Sequence, residues 1–221
     1  SPSRSGWSPF EFIAPPRRVP GVASGDRASG AVITSEGIVY VLTGPTPGRL
    51  VGIRDLQEVV SIELPSAYVG GPAIAGDGRI IVVTRKVVLA FNPVAKTEEA
   101  RLTELCAIPK GLTPTSGPSL GYDGVFYMTY SRGVSAHTVD GKRLWLREDI
   151  VAGGEAAVGP DGTVFVASIN GRLYALAPET GKDLASTAAP VDEAMLTYPA
   201  VAPDGTAYAV SSSRYLVWRK S

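Results

Sequence analysis

One short turn recurs along this chain and limits what it can fold into. It is a small residue or proline followed by aspartate and glycine: Gly76-Asp77-Gly78, Pro160-Asp161-Gly162 and Pro203-Asp204-Gly205. Tyr122-Asp123-Gly124 is a close variant and Ser35-Glu36-Gly37 a looser one. The five glycines stand 41, 46, 38 and 43 residues apart. A period of about 40 residues is what a four-stranded blade of a β-propeller occupies, turns included.

Aligned on the turn glycine, the flanks alternate as strands do. Four residues before it stand Ile33, Ile74, Leu120, Val158 and Val201, all large and apolar; the next position holds Thr34, Ala75, Gly121, Gly159 and Ala202, all small. Three residues after the glycine come Tyr40, Ile81, Tyr127, Phe165 and Tyr208. An aromatic in four of five repeats points to one packing site shared between blades. Second strands are expected at 38–43, 79–84, 125–130, 163–168 and 206–211, rich in β-branched and aromatic residues. Third strands follow at 49–54, 86–91, 133–138, 172–177 and 214–219, one of them after Asn170-Gly171, a type I′ hairpin signal. Outer strands fit 58–63, 101–107, 142–147 and 182–187.

The fifth repeat stops before a fourth strand, and 7–13 offers a spare one near the N-terminus. The expectation is therefore an all-β, five-bladed propeller of four-stranded blades, closed by an N-terminal strand that completes the last blade. Such pairing removes an open sheet edge. The whole chain, 1–221, forms a single domain in this reading. Its blades lie at about 29–64, 71–108, 117–148, 155–188 and 197–221, plus the closing strand 7–13. A fragment of a longer propeller is the alternative.

Composition excludes several classes. Gly and Pro together make 43 of 221 residues, which suits a turn-rich β chain but not a disordered polymer. Lys and Arg number 21, and so do Asp and Glu, so a neutral chain is not expected to bind nucleic acid electrostatically. One Cys and one His leave no intrachain disulfide and no Cys/His zinc set. No apolar run approaches the ~18 residues that span a bilayer. The chain starts at Ser1, and its first thirty residues are rich in Pro, Ser and Gly. A removed signal peptide, a lipoprotein leader or a cloning boundary would each leave such a start. An extracytoplasmic location (periplasmic, secreted or lipid-anchored) is expected.

The fourth repeat runs Gly159-Pro-Asp-Gly-Thr-Val-Phe-Val-Ala-Ser168, then Asn170-Gly-Arg-Leu-Tyr-Ala-Leu176, then Thr180-Gly181. The third ends in Asp140-Gly-Lys-Arg-Leu-Trp145. These segments resemble the pyrroloquinoline-quinone-like propeller repeat of quinoprotein dehydrogenases and of envelope scaffold propellers. The resemblance covers all five repeats and implies the fold; function depends on sites placed upon it. Nothing here matches the metal and cofactor residues of the quinone enzymes, so the scaffold branch is the nearer likeness and no cofactor or metal is expected.

Catalytic constellations are missing from the sequence. His137 aligns with Ile53, Phe91, Leu176 and Trp218, which is a packing position, and no Gly-x-Ser-x-Gly elbow accompanies it. Cys106 ends an apolar strand and fits a small buried hydrophobe. Each Asp-Gly turn carries a single carboxylate, too few for a calcium loop. Glycoside hydrolysis needs paired acids on inner strands, and only Glu155 stands near one.

The remaining clue is broken symmetry. Seven residues before the turn glycine stand Gly30, Gly71, Gly117, Glu155 and Tyr198. The two exceptions fall on adjacent blades, near the mouth of the axis. The binding residues expected are Glu155 and Tyr198, with Tyr68 and Lys110 from loops feeding the same face; Asp149, Asp192 and Glu193 lie on such loops too. A local repacking of a narrow channel is the bland alternative. The expected function is a non-enzymatic protein-interaction or scaffold module with another protein or an envelope component as partner. A small-ligand or glycan-binding propeller is the alternative, and a hydrolase a lesser one.

Overall fold

The computed structural model describes residues 29–44, 47–97, 101–188, 198–210 and 215–218. Within them, strands pair with their chain neighbours into five antiparallel sheets. Sheet 1 holds β1 (Ala31–Ile33), β2 (Val39–Thr43), β3 (Arg49–Arg54) and β4 (Gln57–Glu63). Sheet 2 holds β5 (Ala73–Ile74), β6 (Ile80–Val83), β7 (Val87–Phe91) and β8 (Leu102–Ala107). Sheet 3 holds β9 (Ser119–Leu120), β10 (Val125–Tyr130), β11 (Gly133–Thr138) and β12 (Arg143–Arg147). Sheet 4 holds β13 (Ala157–Val158), β14 (Val164–Ala167), β15 (Arg172–Leu176) and β16 (Asp183–Ala188), and sheet 5 holds β17 (Ala200–Val201), β18 (Ala207–Val210) and β19 (Tyr215–Trp218). The short first strands of successive sheets touch: β5 meets β9, β9 meets β13, and β13 meets β17. They are the inner strands of a β-propeller. The expected closing strand 7–13 lies outside the described residues. No helix among these residues is long and apolar enough to cross a membrane.

The repeated turns join inner to second strands by local chemistry. All five glycines take positive φ, from 75° at Gly37 and Gly124 to 85° at Gly78. There a Cβ would cost energy. Each aspartate caps its own turn: Asp77 Oδ1 accepts from the Arg79 N–H at 3.0 Å, Asp161 Oδ1 from Thr163 at 3.1 Å, and Asp204 Oδ1 from Thr206 at 2.9 Å. One turn differs from expectation. Gly171 has positive φ but Asn170 does not, so the Asn-Gly pair is not type I′, which needs both. Ile169 joins the loop: Gly171 N–H donates to Ser168 O, and Ser168 N–H to Arg172 O, closing a three-residue hairpin. The two-residue turn with both φ positive is Asp55-Leu56, between β3 and β4.

The core sits in the joints between sheets. Tyr40 packs across to Phe91 of sheet 2, its ring centroid 5.4 Å away. Ile81 faces Phe126 and Met128 of sheet 3, Tyr127 faces Val164 and Val166 of sheet 4, and Phe165 faces Ala207 and Ala209 of sheet 5. These four repeat-equivalent side chains are at most 1% exposed. The fifth, Tyr208, is 42% exposed. It faces outward from the last sheet, where the described residues supply no following one.

Candidate functional site

The symmetry-breaking positions lie on the inner strands, and a backbone irregularity places them. Beyond the two-residue ladders of sheets 2, 3 and 4 the inner strand pairs once more, through isolated bridges Tyr68 to Thr84, Pro114 to Tyr130 and Ala152 to Ser168. Between bridge and ladder the inner strand is two residues longer than its partner: positions 68 to 73 run against 81 to 84 in sheet 2, and the same holds in sheets 3 and 4. The surplus is a bulge. It contains Gly71, Gly117 and Glu155, so these residues sit inside the inner-strand pairing and not at its entrance.

The bulges of neighbouring sheets stack on one another. A Cβ added to Gly71 would lie 3.5 Å from Gly30 Cα, and one added to Gly117 would collide with the Gly71 carbonyl. The same atom would stand 3.3 Å from Glu155 Oε1. A Cβ on Gly154 would collide with the Cδ1–Cε1 edge of the Tyr198 ring. Gly30, Gly71 and Gly117 therefore follow one another backbone against backbone, and Glu155 joins this series through its carboxylate. Glycine is required where the chains approach most closely. Gly154, which no repeat position marks in the sequence, is the glycine that lets the edge of the Tyr198 ring meet the main chain.

Glu155 is half-buried, while Tyr198 is 60% exposed. Tyr198 meets the main chain at Gly154, the residue before Glu155, whereas the Glu155 carboxylate lies toward Gly117 of sheet 3. Tyr68 is placed differently. It pairs with Thr84, is half-buried, and lies against Gly48 and the apolar cluster shared by sheets 1 and 2. Lys110 stands exposed in the turn between β8 and the bridge at Pro114, on the loop side of the inner strands. Asp149 is already engaged: Arg147 donates to it at 2.6 Å through both Nε and Nη2, and this hydrogen bonding holds its carboxyl below the usual carboxylate range. Asp192 and Glu193 lie outside the described residues.

The lone histidine and cysteine meet in the joint of sheets 2 and 3. His137 is 2% exposed and stacks on Phe126 with ring centroids 5.2 Å apart. Its Nδ1 is 3.7 Å from Cys106 Sγ, its Nε2 is 2.8 Å from Ser135 Oγ, and Ser135 Oγ lies 3.0 Å from the Tyr130 hydroxyl. Burial pushes the imidazole down to about 4 and the half-buried thiol up to about 11. Both groups are neutral at pH 7, which is the state of a packed polar chain and not of a thiolate–imidazolium pair.

A pocket of about 360 Å³ opens on the opposite rim, between the turns of sheets 1 and 2. Glu36, Asp77, Asn92 and Val94 are among its walls. The sequence signal for it is the long connection from β7 to β8.

Residues 131–219 match the family model described as outer membrane protein assembly factor BamB. No curated protein matches the chain. Among solved structures, BamB from Moraxella catarrhalis superposes with a TM-score of 0.64 at 14% identity, over 86% of this chain and 61% of its own. The C-terminal WD40 domain of Sif2 gives 0.58 at 14% identity, over 91% and 69%. A protein of unknown function from Bacteroides caccae gives 0.55 at 15%, over 85% and 71%. At these identities the likeness is one of fold, and this chain spans about three fifths of the BamB chain. The chain resembles the pyrroloquinoline-quinone-like propeller repeat family, on its BamB side.

Proposed function

We propose that this chain is a non-enzymatic propeller that binds another protein or an envelope component outside the cytoplasm, with its binding face centred on Glu155 and Tyr198. The observation that carries this reading is the break in the glycine ring. Three inner strands place glycine where neighbouring bulges touch, and the next two place an acid and a phenol at that position, the phenol largely in solvent. Polar groups in such a place need partners, and glycine would cost less. The BamB match, a family described by its role in outer membrane protein assembly, runs across both residues. Lys110, exposed on a loop of this side, extends the face. Tyr68 supports it from beneath, through its packing on Gly48.

The ring itself is proposed to have five blades, closed by residues 7–13 pairing beside β19. The support is complementarity. Val39 and Val41 on the outer side of sheet 1 are half-buried, whereas their counterparts Ile80 and Val82, Phe126 and Met128, and Val164 and Val166 are buried. Tyr208 on sheet 5 is their matching half-joint.

The test restores the symmetry. The double variant Glu155→Gly with Tyr198→Gly should fold with an unchanged β-sheet circular dichroism spectrum and lose what the native chain captures from a native envelope extract. A folded double variant that captures the same partner equally well would move the functional face elsewhere, first to the opposite rim and its pocket.

A further inference from the structure

The described cations divide into engaged and free. Arg54 holds Glu36, and Arg79 holds Asp77 and Asp140. Arg49 pairs with Glu58, and Arg147 with Asp149 and Asp183. Arg85, Lys86, Lys110 and Arg132 differ: all four are exposed, and none pairs with an acid among the described residues.

Local structure puts these four at loop tips. Thr84 N–H donates to Val87 O at 2.9 Å, and the Thr84 hydroxyl accepts from the Val87 N–H at 3.1 Å. That closes a two-residue hairpin with Arg85 and Lys86 at its end. Ser131 and Arg132 form the matching loop of sheet 3, between the paired residues Tyr130 and Gly133. Leu112 N–H donates to Pro109 O at 3.1 Å and Gly111 takes a φ of 83°, so Lys110 stands at the corner of a tight turn.

Backbone hydrogen bonds draw the three loops into one joint. Ile108 N–H donates to Lys86 O at 2.9 Å, and Ser131 N–H donates to Thr113 O at 2.8 Å. The Lys110 turn is therefore tied to the Arg85-Lys86 hairpin on one side and to the Arg132 hairpin on the other. No Asp or Glu occurs in 84–87, 108–113 or 130–133. Glu148, just past β12, pairs with none of the four. Ile108 and Leu112 run along the same joint, half-buried against the apolar cluster of sheets 2 and 3. Like charges gathered at one joint repel, and an anionic partner relieves that repulsion. These charges stand on three separate loops along an apolar strip. That layout suits an extended segment with several carboxylates and an apolar side chain better than a single phosphate.

We propose that the rim joint of sheets 2 and 3 docks an acidic segment of a protein partner, with Lys110 between Arg85 and Lys86 on one side and Arg132 on the other. The inference rests on the protein-binding function proposed above and adds the charge of what is bound.

The test uses the full chain and two defined probes: the peptide acetyl-Asp-Glu-Leu-Glu-Asp-amide, and its neutral counterpart acetyl-Asn-Gln-Leu-Gln-Asn-amide. Titration followed by amide NMR should show saturable shifts centred on Lys86, Gly111 and Arg132 with the acidic peptide. The neutral peptide should bind at least tenfold more weakly, and raising salt from about 20 to about 200 mM should weaken the acidic one several-fold. Lys110→Gln should weaken it about threefold and the joint replacement of all four cations by Gln at least tenfold, while Lys142→Gln on the opposite rim changes nothing. Equal binding of the two peptides, acidic binding that survives the fourfold variant, or shifts that map elsewhere would each overturn the inference. Phosphatidylglycerol vesicles that perturb these amides when the acidic peptide does not would overturn it in favour of a lipid surface. The peptide results are separable from the envelope capture. If capture depends on Glu155 and Tyr198 but the acidic peptide does not bind, the face stands and the acidic segment falls. If the acidic peptide binds at these cations while capture ignores Glu155 and Tyr198, the acidic segment stands and the centre of the face falls.

Discussion

His137, which aligns with packing residues in the other repeats, is a buried packing residue in the fold as well. Its ring is stacked on Phe126 and hydrogen-bonded to Ser135, and burial keeps it neutral. The consequence is a pH dependence with a definite sign. The unfolded histidine takes up a proton near its ordinary value of 6.5, while the folded one resists until about 4. The unfolded state therefore binds more protons in that window, and stability falls as pH drops through it, by about 3 kcal/mol at most. Above 6.5 the residue contributes no slope. His137→Leu should change stability at pH 7 by about 1 kcal/mol in either direction and leave binding intact. It should also remove this part of the acid sensitivity. Urea unfolding of both proteins at pH 7 and pH 4.5 checks this; parallel losses in the two would refute the assignment.

At the scale of elements, the outer strand of one sheet fastens the next. Trp145 on β12 donates its indole N–H to Pro178 O at 2.6 Å, across the joint in sheet 4, and its ring lies against Gly181. Two residues on, Arg147 reaches Gly181 O and Asp183, both at 2.8 Å, as well as Asp149. The Leu-Trp ending that marks the family resemblance thus has a mechanical explanation: it docks an outer strand onto the following blade. Trp145→Ala should cost about 3 kcal/mol, because it empties a buried site and orphans a carbonyl. Trp145→Phe should cost less, since much of the packing survives. Chemical denaturation midpoints at constant m-value would measure both, and a Trp145→Ala loss below about 1 kcal/mol would mean the joint is held elsewhere. Arg147 contributes less per contact, because its partners are largely exposed to solvent.

For the whole molecule the question is how the ends of the chain of sheets are treated. β19 is the third strand of sheet 5, and the described residues give it no fourth. An uncovered strand edge beside an exposed tyrosine invites association. If residues 7–13 complete this sheet, removing residues 1–14 should lower the melting temperature, broaden the transition and promote self-association. Differential scanning calorimetry with light scattering reads all three. A truncated chain that melts as before and stays monomeric would refute closure by this strand.

What was legible in the sequence is local and periodic. The Asp-Gly turns, the alternation around them and the strands they bound depend on φ preferences and on side chains a few residues apart. The observed strands accordingly fall within about two residues of the expected ones. The Gly30, Gly71, Gly117, Glu155, Tyr198 series was also legible, because repetition lets one blade serve as the reference for the next. Only the tertiary structure decided what those positions touch. Register between inner and second strands slips by two residues, and no composition signal marks where. That slip sets Glu155 against Gly117 and Tyr198 against Gly154, residues about 40 positions apart in the chain. It was likewise long-range packing that drew Tyr68 into the joint of sheets 1 and 2 and joined Arg147 to Asp183. Strand identity follows from neighbours along the chain; a site follows from neighbours across it.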